Sequence, residues 1–159
     1  MKVSPKTARS LAEGSVEFVS KKFGFSLPYT PESLLVVDAI IEKIKATGAT
    51  EQQASGLLAG LGCYVGEVFV RHAKATWRSA AEMGMTKSCP YPVVLALPPL
   101  RACDPIGRVF RRFNGGPSEG LALFYEMTVN AVAPSRRTPD DDQMQLAAPA
   151  QARNRGPRR

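Results

Sequence analysis

The stretch from Thr50 to His72 constrains this chain more than any other. Thr50-Glu51-Gln52-Gln53 has the form of a capping box. In that motif the hydroxyl and the amide each satisfy a backbone N–H that a helix start leaves free. Leu57, Leu58, Leu61, Val65, Val68 and Phe69 then spread over more than half of the helical circumference. A helix that is apolar nearly all round has to be surrounded by other elements. Gly56 and Gly60, then Gly62 and Gly66, recur four residues apart. Each costs a helix about 1 kcal/mol against alanine, so their presence predicts close packing by another backbone. The longest uncharged run, Gln52 to Gly66, is too short and too rich in glycine for a bilayer span, so no membrane segment is expected.

The flanking sequence supplies what surrounds that helix. Ser4-Pro5 reads as a helix start, with Leu11, Ser15, Phe18, Val19 and Lys22 at helical spacing up to Phe23-Gly24. Thr30-Pro31-Glu32 caps a second helix, whose stripe is Leu34, Val37, Ile40, Ile41 and Ile44 and whose stop is Gly48. Ala75-Thr76-Trp77-Arg78 reads as a short strand and Tyr91 to Leu97 as the clearest one. Pro92 puts the latter at a sheet edge or at a strand beginning. Asp104-Pro105 caps a short helix to Phe113, and Ser118 caps a last one from Glu119 to about Val132. The expected fold class is α+β, a mostly helical single domain over 1–133 with the long central helix packed on a small sheet. Residues 134–159 are rich in Pro, Ala, Arg, Asp and Gln without apolar periodicity, and are expected to form a disordered basic tail.

The chain carries 21 Lys+Arg against 14 Asp+Glu, a net charge of +7. Six arginines and three aspartates of that total follow Pro134, so the domain itself is only mildly basic. Such a field permits a polyanionic partner without requiring one. Cys63, Cys89 and Cys103 are odd in number and lack CxxC spacing, which points to free thiols rather than a disulfide framework or a zinc site. With no apolar leader, the cytoplasm is the expected compartment.

Few residues suggest chemistry. Gly60-Leu61-Gly62-Cys63-Tyr64-Val65-Gly66 imitates a nucleotide fingerprint, but that site needs a strand before its glycines, and here a helix has already begun. Glu67 shares a helix face with Gly60, Cys63, Tyr64 and Arg71. Buried there, a carboxylate needs a partner: an ion pair with Arg71 or with an arginine elsewhere, or a role at the floor of a cleft lined by Tyr64, Arg71 and Trp77. His72, five residues on, does not face Glu67. Asp140, Asp141 and Asp142 resemble a metal site only in composition. No Gly-x-Ser-x-Gly, HExxH or phosphate-loop pattern occurs, so no catalytic residue, metal ligand or cofactor is assigned. After Asp104, Arg108, Arg111 and Arg112 are expected to cluster outward near Arg101, as a surface for phosphates or an acidic protein. Arg153, Arg155, Arg158 and Arg159 add attraction for nucleic acid but lack interleaved aromatics for base stacking.

Leu61-Gly62-Cys63-Tyr64-Val65-Gly66-Glu67-Val68 resembles the core helix of a family of small bacterial domains without assigned function, which reads Leu-Gly-Ala-Tyr-hydrophobic-Gly-Glu-Val. Pro31 to Leu34, Trp77, Tyr91 to Leu97, Asp104-Pro105, Asn114-Gly115-Gly116 and Leu121 to Tyr125 extend the similarity over about Phe23 to Met127. Cys63 replaces the usual alanine, a mild steric change. The resemblance implies an intracellular bacterial domain and supplies no catalytic residues. The leading expectation for function is a non-enzymatic protein-binding domain acting through Arg101, Arg108, Arg111 and Arg112. The second is a small-molecule-binding domain or weak hydrolase with a cleft at Glu67, and the third is weak, non-specific nucleic-acid binding.

Overall fold

The computed structural model describes residues 2–131. They form five helices, α1 (Ala8–Phe23), α2 (Ser33–Ala46), α3 (Glu51–His72), α4 (Pro105–Gly115) and α5 (Leu121–Asn130), and three strands, β1 (Thr76–Ser79), β2 (Val93–Leu97) and β3 (Arg101–Cys103). This is the mostly helical α+β architecture that the sequence predicts. The proposed tail lies outside the described residues.

Helix α3 is the centre. Its capping box forms as expected: the Gln53 N–H donates to Thr50 Oγ1 at 3.3 Å and the Thr50 N–H to Gln53 Oε1 at 2.9 Å. Every residue from Leu58 to Phe69 is buried. By length and apolarity α3 does match a membrane span, contrary to the expectation from its uncharged run, but 72% of its apolar window is buried inside the fold. That is the position of a core helix.

Three of its glycines are explained by contact. A Cβ on Gly60 would stand 3.0 Å from Ser15 Cβ on α1, and one on Gly62 would stand 2.6 Å from Ile106 Cα on α4. One on Gly66 would overlap the Trp77 ring carbons Cζ2 and Cη2. At Gly62, a second backbone does pack closely, as the sequence implies. Gly56 is the exception, because a Cβ there would meet nothing within 4 Å.

The sheet is antiparallel in the order β1-β2-β3, with Trp77 opposite Leu95 and Leu95 opposite Cys103. Val93, Leu95 and Leu97 alternate onto one face and are all buried. β2 is therefore the middle strand and not an edge. Pro92 is tolerated because it precedes the ladder, where its carbonyl still accepts the Ala80 N–H at 2.9 Å.

Three helix starts differ from expectation. No side chain caps α2: its N-cap position is Glu32, and Thr30 contributes only its carbonyl, which accepts the Ser33 N–H at 3.1 Å. Residues 4–7 form a turn in which Ser4 and Thr7 bond each other's backbone N–H groups, and α1 proper begins at Ala8. Ser118 does not cap the last helix. Pro117–Glu119 is a 3-10 turn, and α5 begins at Leu121 after Gly120, which supplies no side-chain cap.

Candidate functional site

The four arginines do not share a surface. Helix α4 begins at Asp104, whose Oδ1 accepts the Gly107 N–H at 2.8 Å, and Ile106, Val109 and Phe113 face the core. Arg112 joins them instead of pointing outward, with a side chain only 5% exposed. Its Nε donates to Asp38 Oδ1 at 2.8 Å and its Nη1 to Glu42 Oε1 at 2.6 Å, both on α2. Asp38 also accepts the Leu121 N–H, at 3.1 Å to Oδ2, and so caps α5 from another helix. The two acids respond oppositely. Burial pushes the Asp38 carboxyl up despite the bonds from Leu121 and Arg112, whereas the bond from Arg112 lowers that of the more exposed Glu42. Arg108 is also engaged, with Nη1 2.9 Å from Glu119 Oε2 and its guanidinium over the Phe124 ring. Arg101 and Arg111 are exposed and make no ion pair among the described residues. The outward cluster thus reduces to two of its four members, because α2 offers carboxylates to Arg112 and the turn before α5 offers Glu119 to Arg108.

The cleft predicted around Glu67 is filled by its own residues. Glu67 is 5% exposed and accepts the Trp77 Nε1–H at 2.9 Å, so its partner is an indole and not Arg71. Trp77 reaches it by packing its ring against Gly66, where any larger residue would displace the ring. Arg71 instead stacks its guanidinium 3.7 Å from the Tyr29 ring centroid. Tyr64 is fully buried, its hydroxyl 2.6 Å from Ser33 Oγ and accepting the Tyr29 N–H at 2.9 Å. His72 Nε2–H donates to Tyr29 O at 2.9 Å. Together these bonds pin Tyr29 at φ +60°, a left-handed conformation that a bulky residue adopts only under constraint. Tyr64 and Arg71 therefore meet on Tyr29, while Glu67 and Trp77 bond each other. Tyr64 and Arg71 anchor the linker after α1 to α3 through Tyr29, and Glu67 with Trp77 ties β1 to the same helix.

An open recess lies elsewhere on the same face of α3. Between α1 and α3 runs a groove of about 400 Å³ whose lining includes Leu11, Gly14, Phe18, Gly56, Leu57 and Gly60. Glu67 does not line it. A Cβ on Gly14 would meet nothing within 4 Å, as at Gly56, and Phe18 is 47% exposed beside them. Helical glycines that no neighbour requires were the signal in the sequence. From sequence alone Gly56 is read as a packing glycine, and Gly14 is not distinguished from its helix.

Among the described residues no three of His, Cys, Asp and Glu converge as metal ligands, and the cysteines are free. Burial raises Cys63 and Cys103 to about 12 and Cys89 to about 11, helped by the charges of Glu67 for Cys63 and of Asp104 for the other two. The unfolded thiols ionise near 9 while the folded ones keep their protons. The thiols' contribution to stability is therefore full below about pH 9 and is lost as pH rises toward about 12. Fully buried Cys63 should contribute about 1.4 kcal/mol of that loss for each pH unit. Urea titrations above about pH 9 should show a shallower decline for Cys63→Ala than for the wild type. Equal declines would mean that this thiol does not hold its proton.

Compared with family models, curated proteins and solved structures, the chain matches none.

Proposed function

We propose that this chain is a non-enzymatic, cytoplasmic protein-binding domain whose docking surface is the groove between α1 and α3. The pair Gly14 and Gly56 carries the reading. Each interrupts a helix at a cost of about 1 kcal/mol, and neither is needed for packing. Their effect is to lower two helical ridges so that an incoming helix can lay its apolar side chains against Leu11, Phe18 and Leu57. Apolar recesses of this kind on a domain surface characteristically serve association. Arg101 and Arg111 remain as an accessory basic surface, since Arg108 and Arg112 are held by internal carboxylates.

The test fills the groove without disturbing the core. Gly14→Leu with Gly56→Leu should leave the melting temperature unchanged or raised, because both positions face open space. The full-length variant should lose the protein that the wild type retains stoichiometrically from nuclease-treated lysate, whereas Arg101→Glu with Arg111→Glu should keep it. Capture that survives the filled groove refutes this surface.

A small apolar ligand in the same groove is the second reading, supported by a volume within the range of about 300–1,000 Å³ usual for ligand sites. It predicts a hydrophobic dye bound by the wild type and not by the filled variant, with no protein captured. Non-specific nucleic-acid binding predicts retention that falls steeply with salt and disappears after nuclease treatment.

A further inference from the structure

A second recess has a different chemistry. Between the start of α2 and the face of α5 lies a shallow groove of about 190 Å³ lined by Pro31, Glu32, Leu35, Ala122, Tyr125 and Glu126. Its apolar part is open, with Leu35 63% exposed although Leu34, Val37, Ile40 and Ile41 of the same helix are fully buried. Leu123 and Met127, one turn apart on α5, are exposed as well. The charges in the lining are both negative, Glu32 from the α2 side and Glu126 from α5. Both are exposed, and neither joins an ion pair among the described residues. Hydrogen bonds from its own backbone and from Thr30 hold the Glu32 carboxyl below its ordinary value, so it is ionised at neutral pH. This pair of acids stands on a chain whose net charge is +7, so the local sign opposes the global one.

We propose that the α2–α5 groove docks a cationic, apolar segment of another protein, a short amphipathic stretch with leucine-like side chains flanked by lysine or arginine. The apolar side chain packs on Leu35 and Tyr125, and the flanking cations reach Glu32 and Glu126. An acidic or neutral apolar segment would leave both carboxylates desolvated without a partner, which is the repulsive element that gives the site its selectivity. This site is separate from the α1–α3 groove and does not depend on that reading.

The probe is a synthetic amphipathic peptide of leucine and lysine, compared with its counterpart carrying glutamate for lysine. Binding to the full-length protein is followed by fluorescence anisotropy. The overall positive charge favours the glutamate peptide, so a preference for lysine can only be local. The lysine peptide should bind roughly tenfold tighter or more, and Glu32→Lys with Glu126→Lys should reverse the preference. Leu35→Ser should weaken binding with the melting temperature unchanged, since that side chain is mostly in solvent. The Gly14→Leu, Gly56→Leu protein should bind the peptide as the wild type does, which separates this site from the other groove. The proposal is overturned by equal affinity for the two peptides, or by a preference unmoved in the double glutamate variant. A dimer that Leu35→Ser dissolves would assign the face to a second copy. That result also overturns the proposal.

Discussion

Arg112→Met should destabilise the protein by roughly 3 kcal/mol, the range for removing one partner of a buried ion pair, and lower its melting temperature by about 10 °C. The size follows from what the guanidinium holds. Its side chain is 5% exposed and Asp38 15%, so the Arg112–Asp38 bond at 2.8 Å is largely shielded from water. Glu42 is 47% exposed and its share is correspondingly small. Without the arginine, the Asp38 carboxylate keeps the Leu121 N–H but loses its one charged partner among the described residues, in a place where burial already raises its proton affinity. Asp38→Asn should cost less, because an amide oxygen still accepts from Leu121 and from the arginine. Chemical denaturation of both variants decides the matter. A loss below about 1 kcal/mol for Arg112→Met would mean that the junction behaves as a surface pair.

Four glycine substitutions should divide by sign. Gly62→Ala brings a methyl group 2.6 Å from the Ile106 Cα, a backbone atom that moves only if α4 separates from α3. The expected loss is about 3 kcal/mol, at the upper end of the range for overpacking. Gly66→Ala displaces the Trp77 ring and with it the indole bond to Glu67, for a loss of roughly 2 kcal/mol. Gly14→Ala and Gly56→Ala meet no atom within 4 Å. Each should gain about 0.5–1 kcal/mol from helix propensity and a less flexible unfolded chain. Thermal denaturation of the four single variants is sufficient. A common sign across all of them would remove the distinction between glycines that pack and glycines that open a groove.

Much of this architecture can be read locally. The Thr50 capping box, the left-handed stops at Gly24 and Gly48 and the apolar stripe of α2 are each written within a few residues, and each forms where expected. β3 is not legible in the sequence, because Arg101–Cys103 is too short to show alternation. The fate of Arg112 was less legible. It stands three residues after Val109, at the margin of the apolar face of α4, so helical spacing alone does not decide its direction. Its partners Asp38 and Glu42 are 74 and 70 residues away. The hint was on their side, two carboxylates one turn apart on a helix otherwise rich in valine, isoleucine and leucine. Glu67 was recognised as a buried acid in need of a partner, but a tryptophan ten residues later, reaching back over a glycine, is a solution that sequence spacing does not suggest.

The borrowed cap of α5 has a consequence for how this domain assembles and opens. Leu121–Asn130 has only ten residues and no capping side chain of its own, so in isolation it lacks the means to start. Its first turn is closed by a residue 83 positions earlier in the chain. The last helix is therefore local in its hydrogen bonds but non-local in its initiation, and it waits on α2 and α4 having already met. The Leu121 amide becomes a reporter for that meeting: its exchange with solvent measures how often the whole three-helix junction comes apart, not how often one helix end frays.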